Sequence, residues 1–212
     1  KGQGYLSGKQ MAGSFQFLHS RDLVWTRQMR EYLMGERDQG NDLMAWNADT
    51  TRLPARMHHE YLVALYLKNA LANGRYVAGG RRVSLGDLHM PVFLVGTERD
   101  HVSPWRSVYK LHQLTGTEIS FLLTSGGHNA GIISPPGHPR RSYRLATQPA
   151  RAPWLSADEW LERAESSAGS WWPAWQAWLA AHSSAPVKAR PIPAGRALYP
   201  APGHYVMQRY AE

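Results

Sequence analysis

Two short stretches, "TERDHVSP" (97–104) and "TSGGHNAGIISPP" (124–136), each follow an apolar run and each carry a group that can hold or move a proton. The first carries Asp100 and the second His128. A carboxylate and an imidazole on successive turns can act as one unit. The carboxylate keeps one ring nitrogen in a fixed tautomer and stabilises the imidazolium, while the other nitrogen takes a proton from a nucleophile. Each residue also has a plain structural use, Asp100 as an Asx-turn residue or helix cap and His128 as a turn histidine bonded to backbone. His101 is a rival base, but its place beside Asp100 keeps the two out of triad geometry. A metal site built from His58, His59 and His101 is set aside, because adjacent histidines on one helix point in different directions.

A base needs something to activate, and this chain offers no nucleophile at an elbow. The chain contains no cysteine. An elbow requires Gly-x-Ser/Cys-x-Gly, yet Gly4 and Gly8 bracket Leu6, and Gly127 and Gly131 bracket Asn129. The chain order nucleophile, acid, base puts the missing group upstream of Asp100. Residues 1–84 are already filled by a cap-like helical region, so the nucleophile is expected before Lys1. The start, "KGQGYLSGKQ", has neither a Met nor a signal-peptide core and is read as a cut end.

The elements that must position Asp100 and His128 follow from pattern. "MPVFLVGT" (90–97) and "EISFLLTS" (118–125) are continuous apolar runs separated by a helix from about Trp105 to Leu114. Such runs indicate buried strands of a parallel sheet covered on both faces, and functional residues gather at the carboxyl ends of parallel strands. Upstream, "SRDLVWTRQMREYLMG" (20–35) is a helix with Ser20 as N-cap and Gly35 as stop. "ARMHHEYLVALYLKNALANG" (55–74) has a helical apolar stripe at Met57, Tyr61, Leu62, Leu65 and Tyr66. A hairpin turns at Gly79-Gly80. Residues 137–158 read as irregular, and 156–184 as helical in pieces, with Ser156 as an N-cap. The cluster Trp171, Trp172, Trp175 and Trp178 reads as a core-facing helical stripe, and the chain from Pro186 onward as an extended Pro/Gly-rich tail.

The fold class is therefore α/β. Residues 1–84 are expected to be part of a mostly helical cap, 85–185 the C-terminal part of the core, and 186–212 the tail. No apolar run approaches the roughly 18 residues of a membrane span. The net charge of +8 and pI near 9.9 ask for an anionic partner. The cations are scattered, with doublets only at Arg81-Arg82 and Arg140-Arg141, and no nucleic-acid motif accompanies them. A phosphorylated substrate such as an acyl-CoA would use the same charge.

Taken together, "DLVW", "DLMAWNADTTRLPARMHHEYL", "VSLGDLHMPVFLVGTERDHVSPW", "SGGHNAGIISPP", "GSWWPAWQAWL" and the closing "APGHYV" resemble, in order and spacing, the C-terminal half of a poly(3-hydroxyalkanoate) synthase. The single-chain classes resemble it more than the two-subunit ones, on the Trp-rich helix and the tail. The resemblance implies an α/β-hydrolase core with an inserted cap. It implies polymerisation of 3-hydroxyacyl-CoA into polyester on a Cys nucleophile, with release of CoA and without cofactor or metal. Asp100 then falls on the acid and His128 on the base, while His101 and Trp46 fall near the substrate path. A homodimer as the full-length enzyme, and a cytoplasmic place at the polyester granule surface, are implied as well. The cysteine elbow has no counterpart in this chain.

Two other readings fit parts of the sequence. An esterase or thioesterase with an upstream Ser would share the acid–base pair but leave "WNADTTRLP" and "SWWPAWQAWL" unexplained. A non-catalytic module binding the granule would suit nine Trp, ten Tyr and the positive charge.

Overall fold

The computed structural model describes residues 3–18, 29–35, 51–191, 195 and 199–207. Near the N-terminus two short strands, β1 (Tyr5–Leu6) and β2 (Leu53–Pro54), pair antiparallel, and each feeds a helix. Helix α1 (Gly8–Leu18) opens with a reciprocal cap. The Gln10 amide donates to Ser7 Oγ at 3.2 Å and the Ser7 amide to Gln10 Oε1 at 2.9 Å, which satisfies two amides that no helical carbonyl can reach. Helix α2 (Ala55–Tyr61) starts directly after Pro54 and runs on as a π-helical turn over Leu62–Leu67. Most of its stripe is exposed, Met57 at 54% and Tyr66 at 68%, while Leu65 is half-buried.

Of the helix expected over 20–35, residues 20–28 lie outside the described ones. Met29–Leu33 is a π-helical turn, and Gly35 follows it at φ 65°. The hairpin β3 (Tyr76–Ala78) and β4 (Arg81–Val83) turns on Gly79 and Gly80 at φ 55° and 76°. That pair of left-handed residues is what a two-residue turn needs to match strand twist.

The main sheet has four strands in the order β5 (Val92–Thr97), β6 (Ile119–Thr124), β7 (Ser142–Gln148), β8 (Glu165–Ala168). Strands β5 and β6 are parallel, with Val92 opposite Ile119 and Thr97 opposite Thr124, so their carboxyl ends are level. The other two pairings are antiparallel. The sheet is thus mixed rather than wholly parallel, and residues 142–148 form a strand where irregular chain was expected. Serine, arginine and nearby prolines suggested a loop. In the structure the arginine has a partner that local sequence does not reveal. Arg144 Nη1 donates to the carbonyls of Ala164 (2.9 Å) and Leu161 (3.4 Å), at the end of helix α4 (Ala157–Arg163), where carbonyls lack helical donors.

The core lies on one face of β6. Ile119, Phe121 and Leu123 pack with Trp105 and Tyr109 of helix α3 (Trp105–Tyr109) and with Trp160 and Ala164. Phe121 is fully buried, its ring 4.7 Å from Trp160 and 5.2 Å from Tyr109. Gly96 lets α3 approach, since a Cβ there would sit 3.1 Å from the Trp105 Cβ. Helix α4 starts at the expected Ser156 cap: Ser156 Oγ accepts from the Glu159 amide at 3.2 Å, and Glu159 Oε2 accepts from the Ser156 amide at 2.8 Å. Helix α5 (Trp172–Ala181) brings Trp178 to within 5.5 Å of Phe93 on β5. Among the described residues no helix is long and apolar enough to cross a membrane.

Candidate active site

The level ends of β5 and β6 set two turns side by side. The first begins at Thr97 and is stitched to the second by the Glu98 amide on Thr124 O (3.0 Å) and the Arg99 amide on Gly126 O (2.9 Å). The Asp100 amide closes the turn on Thr97 O at 3.3 Å. The Asp100 side chain, 8% exposed, then collects four partners. Its Oδ1 accepts from the amides of Val102 (2.9 Å) and Ser103 (2.8 Å). Its Oδ2 accepts from Thr97 Oγ1 at 3.4 Å. The fourth partner is His128, whose Nδ1 lies 2.9 Å from Oδ2 and 3.1 Å from Oδ1.

Burial pushes the Asp100 carboxyl up. The Ser103 amide, the His128 imidazole and the Val102 amide together outweigh that and hold it below the ordinary carboxylate range. An ionised carboxylate only accepts, so the bond to Nδ1 places the imidazole proton on that nitrogen. Nε2 then carries the lone pair, and the His128 side chain is 44% exposed, open to an approaching proton donor. The pair can orient and charge-stabilise a general base. Asp100 serves both uses weighed from the sequence, since the same carboxylate caps the 102–103 turn.

Close backbone approach positions the His128 loop. Gly126 sits at φ 116°, and a Cβ there would come within 2.8 Å of Gly131 Cα. A Cβ on Gly131 would come within 2.7 Å of Thr97 Cγ2 and 2.9 Å of Gly127 O. These contacts let the loop lie flat against the end of β5, and only glycine permits both. Gly127, by contrast, would meet only Arg99 O, at 3.6 Å. The loop closes internally through the Gly131 amide on Gly127 O (2.8 Å) and the Ile133 amide on Asn129 O (3.0 Å).

The structure therefore brings Asp100 and His128 together. His101 occupies an exposed position in the bend beyond Asp100, and Trp46 lies outside the described residues. His58 and His59 both border a cleft with Tyr5, Leu6 and Gln10, on the N-terminal helices rather than at the sheet. Sequence reasoning missed Thr97, Gly126 and Gly131 as positioning residues. The spacing in "GGHNAG" was the available signal.

No family model matches the chain. It is similar to the poly(3-hydroxyalkanoate) polymerase subunit PhaC of Rhizobium etli, 40% identical over 210 residues, which covers 97% of this chain and 32% of the relative. The poly(3-hydroxyalkanoate) polymerase of Methylorubrum extorquens is 40% identical over 210 residues, covering 97% and 34%. The polymerase subunit PhaC of Cupriavidus necator is 37% identical over 206 residues, covering 95% and 34%. The chain spans about a third of the length of the curated relatives it matches, a smaller share than the half suggested by the motifs. The matched part is C-terminal in those relatives.

Proposed function

We propose that this chain, related over nearly its whole length to a C-terminal part of poly(3-hydroxyalkanoate) polymerases, supplies the acid–base pair of a cysteine acyltransferase that builds polyester from 3-hydroxyacyl-CoA. The observation that carries the reading is the Asp100–His128 bond at the level ends of two adjacent parallel strands, with Nδ1 engaged and Nε2 left as acceptor. The nucleophile is a cysteine supplied outside this chain.

In the first step His128 Nε2 takes the thiol proton, and the thiolate attacks the carbonyl of the acyl-CoA thioester. An enzyme–acyl thioester forms, the bond to CoA sulfur breaks, and the imidazolium returns its proton to the departing thiolate. In the second step the 3-hydroxyl of one unit attacks the thioester carbonyl of the other. A new ester forms as that hydroxyl loses its proton to the Asp100–His128 pair, the acyl C–S bond breaks, and the pair returns the proton to the departing thiolate. Asp100 stays ionised throughout and offsets the charge on the imidazolium. Residues 1–84 act as part of the cap and residues 85–185 as part of an α/β-hydrolase core. The full-length protein works as a homodimer at the granule surface, with His101 and Trp46 on the substrate path.

The test is CoA release from 3-hydroxybutyryl-CoA by the full-length protein. His128→Ala is expected to lower it by about a thousandfold or more, the cost of losing a triad base. Release that survived His128→Ala at the unsubstituted rate would overturn the assignment.

A further inference from the structure

Besides Asp100 and the ends of β5 and β6, one short stretch of chain that no part of the mechanism uses holds the His128 loop from outside. After β8 the backbone turns at Gly169, whose amide donates to Arg141 O at 2.6 Å. The next three side chains then all reach back to loop carbonyls. Ser170 Oγ donates to Ser134 O, Trp171 Nε1 to Gly131 O at 3.2 Å, and Trp172 Nε1 to Ile132 O at 3.0 Å. Ser170 Oγ also accepts from the Trp172 amide at 3.1 Å, which ties the stretch to itself. Trp171 is 6% exposed and Ser134 is fully buried.

We infer that Ser170, Trp171 and Trp172 form a positioning clamp that sets the angle at which the 128–134 loop presents His128 to Asp100. The inference rests on the reading of His128 as the base. The loop lies beyond the end of β6, so no ladder hydrogen bond fixes it; from β6 only Thr124 Oγ1 reaches it, at 3.5 Å from Gly131 O, and its internal bonds make it a unit that can tilt as one piece. Three side-chain donors on three of its carbonyls stop that tilt. Indole suits the task, because a rigid ring with two rotatable bonds places its N–H at little conformational cost. Packing alone would require only apolar surface. Here both indole N–H groups are spent on the backbone of one loop, and neither touches Asp100 or His128.

The experiment is nuclear magnetic resonance on the 212-residue chain, following exchange of the His128 Nδ1 proton with solvent alongside urea unfolding. Trp171→Phe and Trp172→Phe keep a ring in place and remove one donor each. Each is expected to speed that exchange by about tenfold, the equilibrium weight of one buried hydrogen bond, while Trp154→Phe leaves it unchanged. Unchanged exchange in both variants, with or without lower urea midpoints, would reduce the three residues to packing and overturn the clamp. Should Trp171→Phe not fold, Trp172→Phe and Ser170→Ala decide by the same measurement. The readout needs no turnover. A protein in which His128 proved dispensable for CoA release would therefore sink the catalytic reading and leave the clamp standing, whereas unchanged exchange would do the reverse.

Discussion

Removing the imidazole and removing the carboxylate of the Asp100–His128 pair should not have the same effect. In the proposed mechanism the thiol must ionise unaided once His128 is gone, so His128→Ala is expected to abolish both acylation and chain growth in the full-length protein. Asp100→Asn removes only orientation and charge support. A thiol is more acidic and more nucleophilic than an alcohol, so acylation should survive in part while growth, which must activate a hydroxyl, stalls. Rapid-quench acylation with labelled acyl-CoA should then show accumulated acyl-enzyme carrying little or no polymer, and equal loss of acylation in both variants would remove the distinction. The same carboxylate carries a pH signature. Its folded pKa lies below its ordinary value, because two amides and the imidazole favour the charged form over the cost of burial. The resulting stabilisation is complete above the ordinary carboxyl pKa of about 3.9 and is lost as pH falls through the folded value. The gap in urea midpoint between the unsubstituted chain and Asp100→Asn should accordingly be widest near neutrality and close in acid. Asp100 and His128 were legible in the sequence because few side chain types do acid–base work and both followed apolar runs. Gly126 and Gly131 were not, since what they permit is an approach to Thr97 that only the folded chain creates.

At the level of elements, continuous apolar runs made β5 and β6 plain, and the Ser156 and Glu159 pair marked the start of α4. Strands β7 and β8 were hidden because Ser142–Gln148 and Glu165–Ala168 carry polar residues whose partners come from elsewhere. Arg144 is the example, its guanidinium capping a helix that begins more than ten residues later in the chain. Arg144→Met keeps the length of the stem and leaves two helix-end carbonyls without that donor. It should lower stability by about 1–3 kcal/mol, measured by urea unfolding, and a neutral result would mean water replaces the guanidinium fully. The glycines of the His128 turn offer a paired test. Gly131→Ala forces a Cβ against a branched side chain and a backbone oxygen at 2.7 and 2.9 Å, and should cost about 1–3 kcal/mol by overpacking. Gly127→Ala meets only ordinary contact at 3.6 Å and should stay within about 0.5 kcal/mol. Thermal unfolding of the two side by side distinguishes a loop fixed by close approach from one that is merely glycine-rich.

For the whole molecule, the order and spacing of the motifs pointed to a poly(3-hydroxyalkanoate) synthase, and curated relatives similar across 97% of the chain are named poly(3-hydroxyalkanoate) polymerases. How much of those relatives the chain represents was not legible, because the motifs say where segments match and nothing of what flanks them. The chain spans about a third of its relatives and contains no cysteine. On the proposed reading it holds an oriented base without the thiol that base would deprotonate. An acid–base pair alone could still activate water, but hydrolysis by that route would lack both the covalent intermediate and a second set of groups to hold the acyl carbonyl. The purified 212-residue chain is thus expected to release CoA from 3-hydroxybutyryl-CoA no faster than its own His128→Ala variant, followed by a thiol-reactive dye over hours. Because the comparison is between two forms of the same chain, it is insensitive to background thioester hydrolysis. A rate that exceeded the variant's and saturated with substrate would show that some side chain within these 212 residues serves as nucleophile or positions water. The division of the site between this chain and a cysteine outside it would then be wrong, while the Asp100–His128 pair would remain the group that the new nucleophile uses.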